Sequence, residues 1–337
     1  MLARLKRTLP ERGHLYEPKW DGFRALAFRD GGWADLQSRN LNRFGRYFPE
    51  LVEALKSVDE QRYVIDGEIV VVGPEGFDFG ALLKRVHPAR SRIERLRAET
   101  PATFVAFDIL AAGDRDLRRL PFVDRRAVLE RVLAGVRLPM LVTPITGDRS
   151  EAEDWLVRFT GRGVDGVVAK ALDLPYQPGK RVMVKVKPER TADCLVGGFR
   201  VAGVGVTSLV LGLYDEAGVL RHVGVTSAFT NQARHALLDR LTPHVVALEG
   251  HPWEQGFGIE RRPTGRLRGA AGLWTPDMAQ DWLPVEPVLV CEVAYGQLDV
   301  DRFRHPAQFR RWRPDRAPRS CTFDQFEADS PAQLIAV

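Results

Sequence analysis

Lysine is scarce in this chain. It occurs only at positions 6, 19, 56, 84, 170, 180, 185 and 187, and arginine supplies nearly all the remaining positive charge. An arginine stays protonated at any working pH and cannot become a nucleophile, whereas an amine can shed its proton. Lys19 stands in an aromatic-framed stretch, Tyr16-Glu17-Pro18-Lys19-Trp20-Asp21-Gly22-Phe23-Arg24, and four further lysines gather between Lys170 and Lys187. This pattern suggests a covalent lysine facing phosphates. Freeing an ordinary lysine amine at neutral pH costs about 4.6 kcal/mol. Lys170, Lys185 and Lys187, with a metal ion, would lower that cost by disfavouring a further positive charge. The same cations would neutralise charge building on an attacked phosphate. Asp66-Gly67-Glu68 sits within the otherwise apolar Tyr63–Val72. Two carboxylates there are costly unless they meet a cation, and a hydrated Mg²⁺ with phosphates would supply one.

The elements that must position these groups read as follows. Phe23–Arg29 and Trp33–Ser38 flank Asp30-Gly31-Gly32, a hairpin signal. Lys19 therefore ends a strand, just before a glycine, Gly22, that lets the backbone turn tightly. Pro49–Val58 has Leu51, Val52 and Leu55 on one helical face, with proline in the first turn. Tyr63–Val72 and Thr103–Leu110 read as strands. Phe79–Arg85, Val123–Leu133 and Glu151–Arg162 read as helices. Val164–Lys170 is a strand opened by Asp165 and closed by Lys170. Alternation in Val182–Lys187 puts Lys185 and Lys187 on one face and Val184 and Val186 on the other, a pattern that a solvated edge strand would share.

Pro188-Glu189-Arg190 reads as a domain boundary. Beyond it, short β segments at Cys194–Arg200, Leu209–Tyr214, Leu220–Val225 and Val288–Ala294, with one helix at Asn231–Leu241, predict a small barrel of the oligonucleotide-binding type. Residues 250–287, rich in Pro, Gly and Trp and carrying Arg261, Arg262, Arg266 and Arg268, read as an insertion or long loop in that barrel, either a solvated loop that keeps the protein soluble or one that tracks the phosphates of duplex DNA. The division is thus 1–188 and 189–337. A chain of 337 residues is comfortable for two domains. Its net charge of +5 leans toward a polyanionic partner. Cys194, Cys291 and Cys321 are far apart in sequence and match neither a zinc site nor a disulfide framework. No secretory h-region and no bilayer-length apolar run is present, so a cytoplasmic protein is expected.

Lys-x-Asp-Gly is only four residues. Here Ser38-Arg39, Asp66-Gly67-Glu68, Phe107-Asp108, Asp165-Gly166-Val167-Val168-Ala169-Lys170, Lys185-Val186-Lys187 and a terminal arginine segment follow it in order. That ordered set resembles the covalent nucleotidyltransferases, and most closely the ATP-dependent DNA ligases. The spelling around Lys19 is similar to that of the small stand-alone bacterial enzymes and of the ligase domain of bacterial end-joining proteins, and no extra N-terminal DNA-binding domain is read here. The implied fold is α+β. It comprises a nucleotidyltransferase domain of ATP-grasp-like antiparallel sheets with helices, followed by an OB-fold β-barrel.

The resemblance also implies roles. Lys19 would attack the α-phosphorus of ATP, release pyrophosphate and carry AMP. Glu17 would lie near the adenine amino group, with Phe107 stacked on the ring. Arg24, Arg39 and Glu68 would hold the ribose and the DNA 5′-phosphate region. Glu68 and Asp165 would help a divalent cation, Mg²⁺ or Mn²⁺. Lys170, Lys185 and Lys187 would sit on the α-phosphate and later on the nick phosphate. Arg304, Arg313, Asp315 and Arg316 would meet the leaving pyrophosphate when the barrel closes. The partner would be nicked double-stranded DNA, with the enzyme a monomer acting in repair, alone or with other repair proteins. Two positions depart from the family's common pattern: aspartate at 165 where glutamate is usual, and arginine at 316 where lysine is more common. Two rival readings share features with this one. An RNA ligase or capping-type enzyme would use the same lysine chemistry on another nucleotide or polymer, and an inactive DNA-end-binding scaffold would have lost Lys19 or the Lys185/Lys187 pair.

Overall fold

The computed structural model describes residues 1–73, 76–160, 163–203, 205–257, 282–299, 301–326 and Leu334. The arginines at 261, 262, 266 and 268 lie outside them. The chain divides into two compact units that change over between Pro188 and Glu189.

The first unit contains two sheets. One is built from β1 (Leu2–Lys6), β2 (His14–Trp20), β10 (Val164–Ala171) and β11 (Arg181–Val186), in the order β1-β11-β10-β2. The other centres on β3 (Phe23–Asp30), β4 (Trp33–Ser38), β5 (Arg62–Gly73) and β7 (Ala102–Ala112), with the short strands β6 (Gly76–Phe77), β8 (Arg115–Asp116) and β9 (Met140–Val142). Its order is β4-β3-β5-β7-β8. The helices are α1 (Pro49–Ser57), α2 (Phe79–Arg85), α3 (Arg90–Glu99), α4 (Phe122–Val132) and α5 (Arg149–Arg158). Most pairings are antiparallel, as expected. Two are parallel, β1 with β11 and β7 with β9.

Local sequence explains these elements. In β3 the burial alternates, with Ala25, Ala27 and Arg29 turned inward. The guanidinium of Arg29 is tolerated there because it donates to the carbonyls of Gly31 and Leu55 and to Gln61. Leu51 and Leu55 of α1, both fully buried, join Leu36, Ile65 and Phe104 in one core. Asp78 caps α2 by accepting from the Ala81 amide, and Asp148 caps α5 through Ser150. That cap starts α5 at Arg149, two residues before the expected Glu151. Helix α3 is absent from the sequence reading. It is arginine-rich and buries only Ile93 and Leu96, too thin an apolar stripe to show as a period.

Gly22 stands where expected but for another reason. A Cβ on it would come within 2.2 Å of the Ile69 carbonyl oxygen, so it serves close approach to β5 and not a special turn.

The second unit is a sheet of β12 (Arg190–Ala202), β13 (Gly205–Tyr214), β14 (Leu220–Ser227), β15 (Leu283–Pro284), β16 (Val290–Tyr295) and β19 (Gln308–Trp312). The order is β14-β13-β12-β16-β19, with β15 against β12. The strands β17 (Leu298–Asp299) and β18 (Arg302–Phe303) pair with each other, and α6 (Asn231–Leu241) packs its Leu237 and Leu241 into the core. The edges of the expected 250–287 loop belong to this core. Trp253 is 1% exposed, touches the faces of Gly197 and Gly212, and donates to the Leu220 carbonyl at 2.9 Å. All three cysteines are buried as free thiols, and Cys194 and Cys291 are cross-strand neighbours. No helix among the described residues is long and apolar enough to cross a membrane.

Candidate active site

Strand β10 lies between β2 and β11, and the register sets Glu17, Val168 and Lys185 in one row across the sheet. Residues 17 and 19 share a face of β2 because side chains alternate. This one sheet therefore carries two clusters side by side.

The first is cationic. Lys19 Nζ lies 2.6 Å from Asp165 Oδ2, and Lys187 Nζ lies 2.5 Å from the same oxygen. Gly166 makes this possible: its φ of +148° accompanies an irregular register in β10, and a Cβ would stand 2.1 Å from the Val186 carbonyl oxygen. Burial alone would raise the Asp165 carboxyl, but Lys19 and Lys187 hold it down at about 2. Burial lowers the Lys185 amine, and the neighbouring Lys187 and Lys19 lower it further. Glu68 faces the same group from β5. Burial raises its carboxyl to about 8, against the pull of Lys19 and Arg24.

The second cluster surrounds Phe107. Lys170 is 2% exposed, and its amine bonds Glu17 Oε2 at 2.7 Å and the Phe107 carbonyl at 2.9 Å. It also stands 4.8 Å from the centre of the Phe107 ring and 4.5 Å from that of Phe122. Lys170 was expected beside Lys185 and Lys187 on phosphate. It is instead committed to Glu17 and two aromatic rings, because β10 pairs it with Leu15 on β2, at the end of the strand away from Lys19. Arg24 approaches the Phe107 ring at 5.6 Å.

Arg24 also corrects the reading of Asp66. It grips Asp66 through two bonds, at 3.0 and 2.6 Å, and Tyr176 donates to the same carboxylate at 2.8 Å. The buried Asp66 thus has its counter-charge from arginine and needs no metal. Asp108 lies directly across from Asp66 on β7 and is held the same way by Arg125, at 2.7 and 2.9 Å. Two opposed carboxylates would repel, and each is neutralised by its own guanidinium. Sequence reasoning missed Arg125, Arg126 and Tyr176, whose partners are distant in the chain. Arg39 is exposed just beyond β4 and, among the described residues, joins neither cluster through a hydrogen bond or ion pair.

In the second unit, Arg313 donates to Asp193 at 2.9 and 3.0 Å and to Asp315 at 2.8 Å. Arg316 Nε lies 3.3 Å from Asp193, and Arg304 donates to Gln297. The Arg313 guanidinium lowers the Asp315 carboxyl to about 2.

Among the described residues no group of three or more His, Cys, Asp or Glu is placed to hold a metal alone. The donors present, Glu68 and Asp165, suit Mg²⁺, which binds through one or two carboxylates and takes its other ligands from water and substrate phosphates.

An amine paired with a carboxylate, two further lysines and an aromatic cluster with a buried glutamate thus lie together at this one sheet. Residues 1–187 match the ATP dependent DNA ligase domain family, and residues 202–316 match the ATP dependent DNA ligase C terminal region. The chain is 46% identical to DNA ligase C of Mycobacterium tuberculosis, over 97% of this chain and 93% of that protein. It is 47% identical to DNA ligase C2 of Mycolicibacterium smegmatis, over 100% and 96%. A solved structure from a study of Lig E DNA ligases, 17% identical, superposes with a TM-score of 0.52 over 93% of this chain and 98% of that one, a likeness of fold. The chain belongs to the ATP-dependent DNA ligase family, and its α+β fold is a nucleotidyltransferase domain with an OB-fold domain.

Proposed function

We propose that this DNA ligase seals 5′-phosphate/3′-hydroxyl nicks in duplex DNA through a lysyl-AMP and then a DNA-adenylate. Residues 1–188 carry the adenylation chemistry and residues 189–327 form the OB-fold domain, shorter at its end than the expected 189–337. The observation that supports this most is the meeting of Lys19, Asp165 and Lys187 on one sheet beside the Glu17–Lys170–Phe107 group. It offers a nucleophile, phosphate cations and a base pocket within one strand's length.

In the first step the Lys19 amine loses a proton to solvent and attacks the α-phosphorus of ATP. A nitrogen–phosphorus bond forms, and the bond to the β-phosphate oxygen breaks with loss of pyrophosphate. Lys185 and Lys187 stabilise charge on the α-phosphoryl oxygens. Asp165, with its carboxyl held at about 2, orients Lys19 and is too weak a base to deprotonate it. Glu68 and Asp165 would hold Mg²⁺ or Mn²⁺, which when bound supplies neutralisation of the triphosphate charge. Phe107 stacks on adenine, and Glu17 accepts from its amino group. The AMP then passes to the DNA 5′-phosphate, and attack by the 3′-hydroxyl releases it. Arg304, Arg313, Asp315 and Arg316 act on the leaving pyrophosphate. The setting is DNA repair in the cytoplasm, with the enzyme acting as a monomer.

Incubation with α-labelled ATP and Mg²⁺, then denaturing electrophoresis, should give a labelled protein band. Chasing that band with nicked DNA should discharge it and seal the nick. A band that nicked RNA discharges and nicked DNA does not would sink the DNA reading.

A further inference from the structure

Arg126 has no signal in the sequence that sets it apart from the arginines around it. In the structure it reaches from α4 to the base pocket. Glu17 is 3% exposed, and Lys170 occupies only its Oε2. Among the described residues its Oε1 has no hydrogen-bond partner. Opposite that oxygen, at 3.7 Å, stands Nη1 of Arg126, which has none among them either. The gap is too long for a hydrogen bond, and two buried polar atoms left unpaired are costly.

Arg126 itself is firmly anchored. Its Nη2 donates to the Thr143 carbonyl at 2.7 Å, and its Nε donates to Glu130 at 2.7 Å. The Thr143 hydroxyl in turn accepts from Trp20 Nε1 at 2.8 Å, so the same loop residue steadies both Arg126 and the neighbour of Lys19. The guanidinium is therefore fixed beside Glu17 without bonding it. It acts on the carboxylate by charge and leaves Oε1, although buried, without a donor among the described residues.

We propose that Arg126 is a positioning residue for nucleotide selection: together with Lys170 it keeps Glu17 a carboxylate, whose free Oε1 accepts from the 6-amino group of adenine and cannot donate to a 6-oxo purine. The inference rests on the reading that Glu17 meets the adenine. An ionised carboxylate only accepts hydrogen bonds, whereas a protonated one can donate. Burial pushes the Glu17 carboxyl up and Asp108 on β7, itself clamped by Arg125, adds to that push; Lys170 and Arg126 oppose it and limit the rise without reversing it. Losing the Arg126 charge leaves Glu17 protonated over a wider range, and the pocket then tolerates a 6-oxo base.

The test is Lys19-dependent labelling of the full chain by α-labelled ATP and by α-labelled inosine triphosphate, from mildly acid to mildly alkaline pH. Arg126→Met should reduce the ATP preference in kcat/KM by roughly tenfold or more, chiefly through KM and most strongly in acid, while Arg126→Lys restores it. Glu17→Gln should lose the preference at every pH, because an amide offers both a donor and an acceptor. A folded Arg126→Met protein, judged by circular dichroism, that keeps the wild-type preference and pH profile would overturn the proposal. So would one that discriminates more sharply, since Arg126 would then have been serving the 6-oxo group directly. Should Arg126→Met fail to fold, the wild-type profile decides: a preference that weakens toward acid supports the proposal, and a flat one overturns it. Absence of any ATP labelling in the wild type would bring down the adenylation reading together with this one, an outcome distinct from an unchanged ratio.

Discussion

Lys19 and Asp165 lie 146 residues apart in the chain, and their side chains meet at 2.6 Å. Lys187 reaches the same carboxylate oxygen. One aspartate thus gathers two amines with different duties, and several consequences can be measured.

Replacing Lys19 by arginine or alanine should abolish the labelled protein band. Lys19→Arg keeps a cation against Asp165, so its thermal midpoint should stay close to wild type. A normal yield of AMP adduct on Lys19→Arg would show that another group is the nucleophile.

Asp165→Asn leaves Lys19 and Lys187 without their shared counter-ion. Stability should fall by about 1–3 kcal/mol, and adenylation by at least about tenfold. If Asp165 also touches the divalent cation, the half-saturating Mg²⁺ concentration rises in the same variant. Asp165→Glu, one methylene longer, should recover most of the activity. An unaltered Mg²⁺ requirement in Asp165→Asn would restrict this residue to holding the lysines.

Gly166 sits at φ +148° with the Val186 carbonyl where a Cβ would go. Gly166→Ala should cost about 1–3 kcal/mol from strain alone, read as a lower denaturant midpoint. It should also slow adenylation, because β10 can relieve the clash only by moving Asp165. A variant of full stability and full activity would show that the strand adapts elsewhere.

Arg313 is bound to Asp193 and Asp315 within its own unit. If it serves pyrophosphate release, Arg313→Ala should depress adenylation by ATP far more than sealing of a nick already carrying a 5′-adenylate. Equal losses in the two assays would make its role structural. Point substitution is the right probe, since removing everything from Arg302 onward would also remove β19 and the buried Phe303 and Cys321.

His222 is buried between Trp253 and Phe257, and burial, with Arg302 and Arg200, lowers its pKa to about 3. The unfolded chain protonates this histidine near 6.5 and the folded chain only near 3. Between those values the unfolded state binds more protons, so stability is full above 6.5 and declines as pH falls toward 3. The loss should amount to several kcal/mol, and His222→Gln should flatten that slope in pH-dependent denaturation.

Much of this was legible in the sequence because it depends on local pattern. The helix at Asn231–Leu241, the hairpin between Phe23 and Ser38, and the Lys185/Lys187 strand follow from period and turn chemistry, and each is present. The ligase family itself could be read from ordered short motifs. What escaped depends on register. The place of Lys170 is set by its pairing opposite Leu15, and the partner of Asp66 is Arg24 because β3 and β5 bring them together. Neither follows from spacing along the chain. Arg126 escaped for a related reason: its neighbours Glu17 and Thr143 come from different elements, so no run of residues advertises it.

The parallel pairing of β1 with β11 carries a further consequence, for the order of assembly during synthesis. Leu2–Lys6 is synthesised before the rest of the first unit, but its partner Arg181–Val186 appears only when that unit is nearly complete. The strand bearing Lys19 belongs to the same sheet and likewise waits for Val164–Ala171. The β3–β4 hairpin and its β5 neighbour need no such delay. A nascent chain can therefore build the second sheet early, while the nucleophile's own sheet closes late, at the high cost in loop entropy that distant pairings carry.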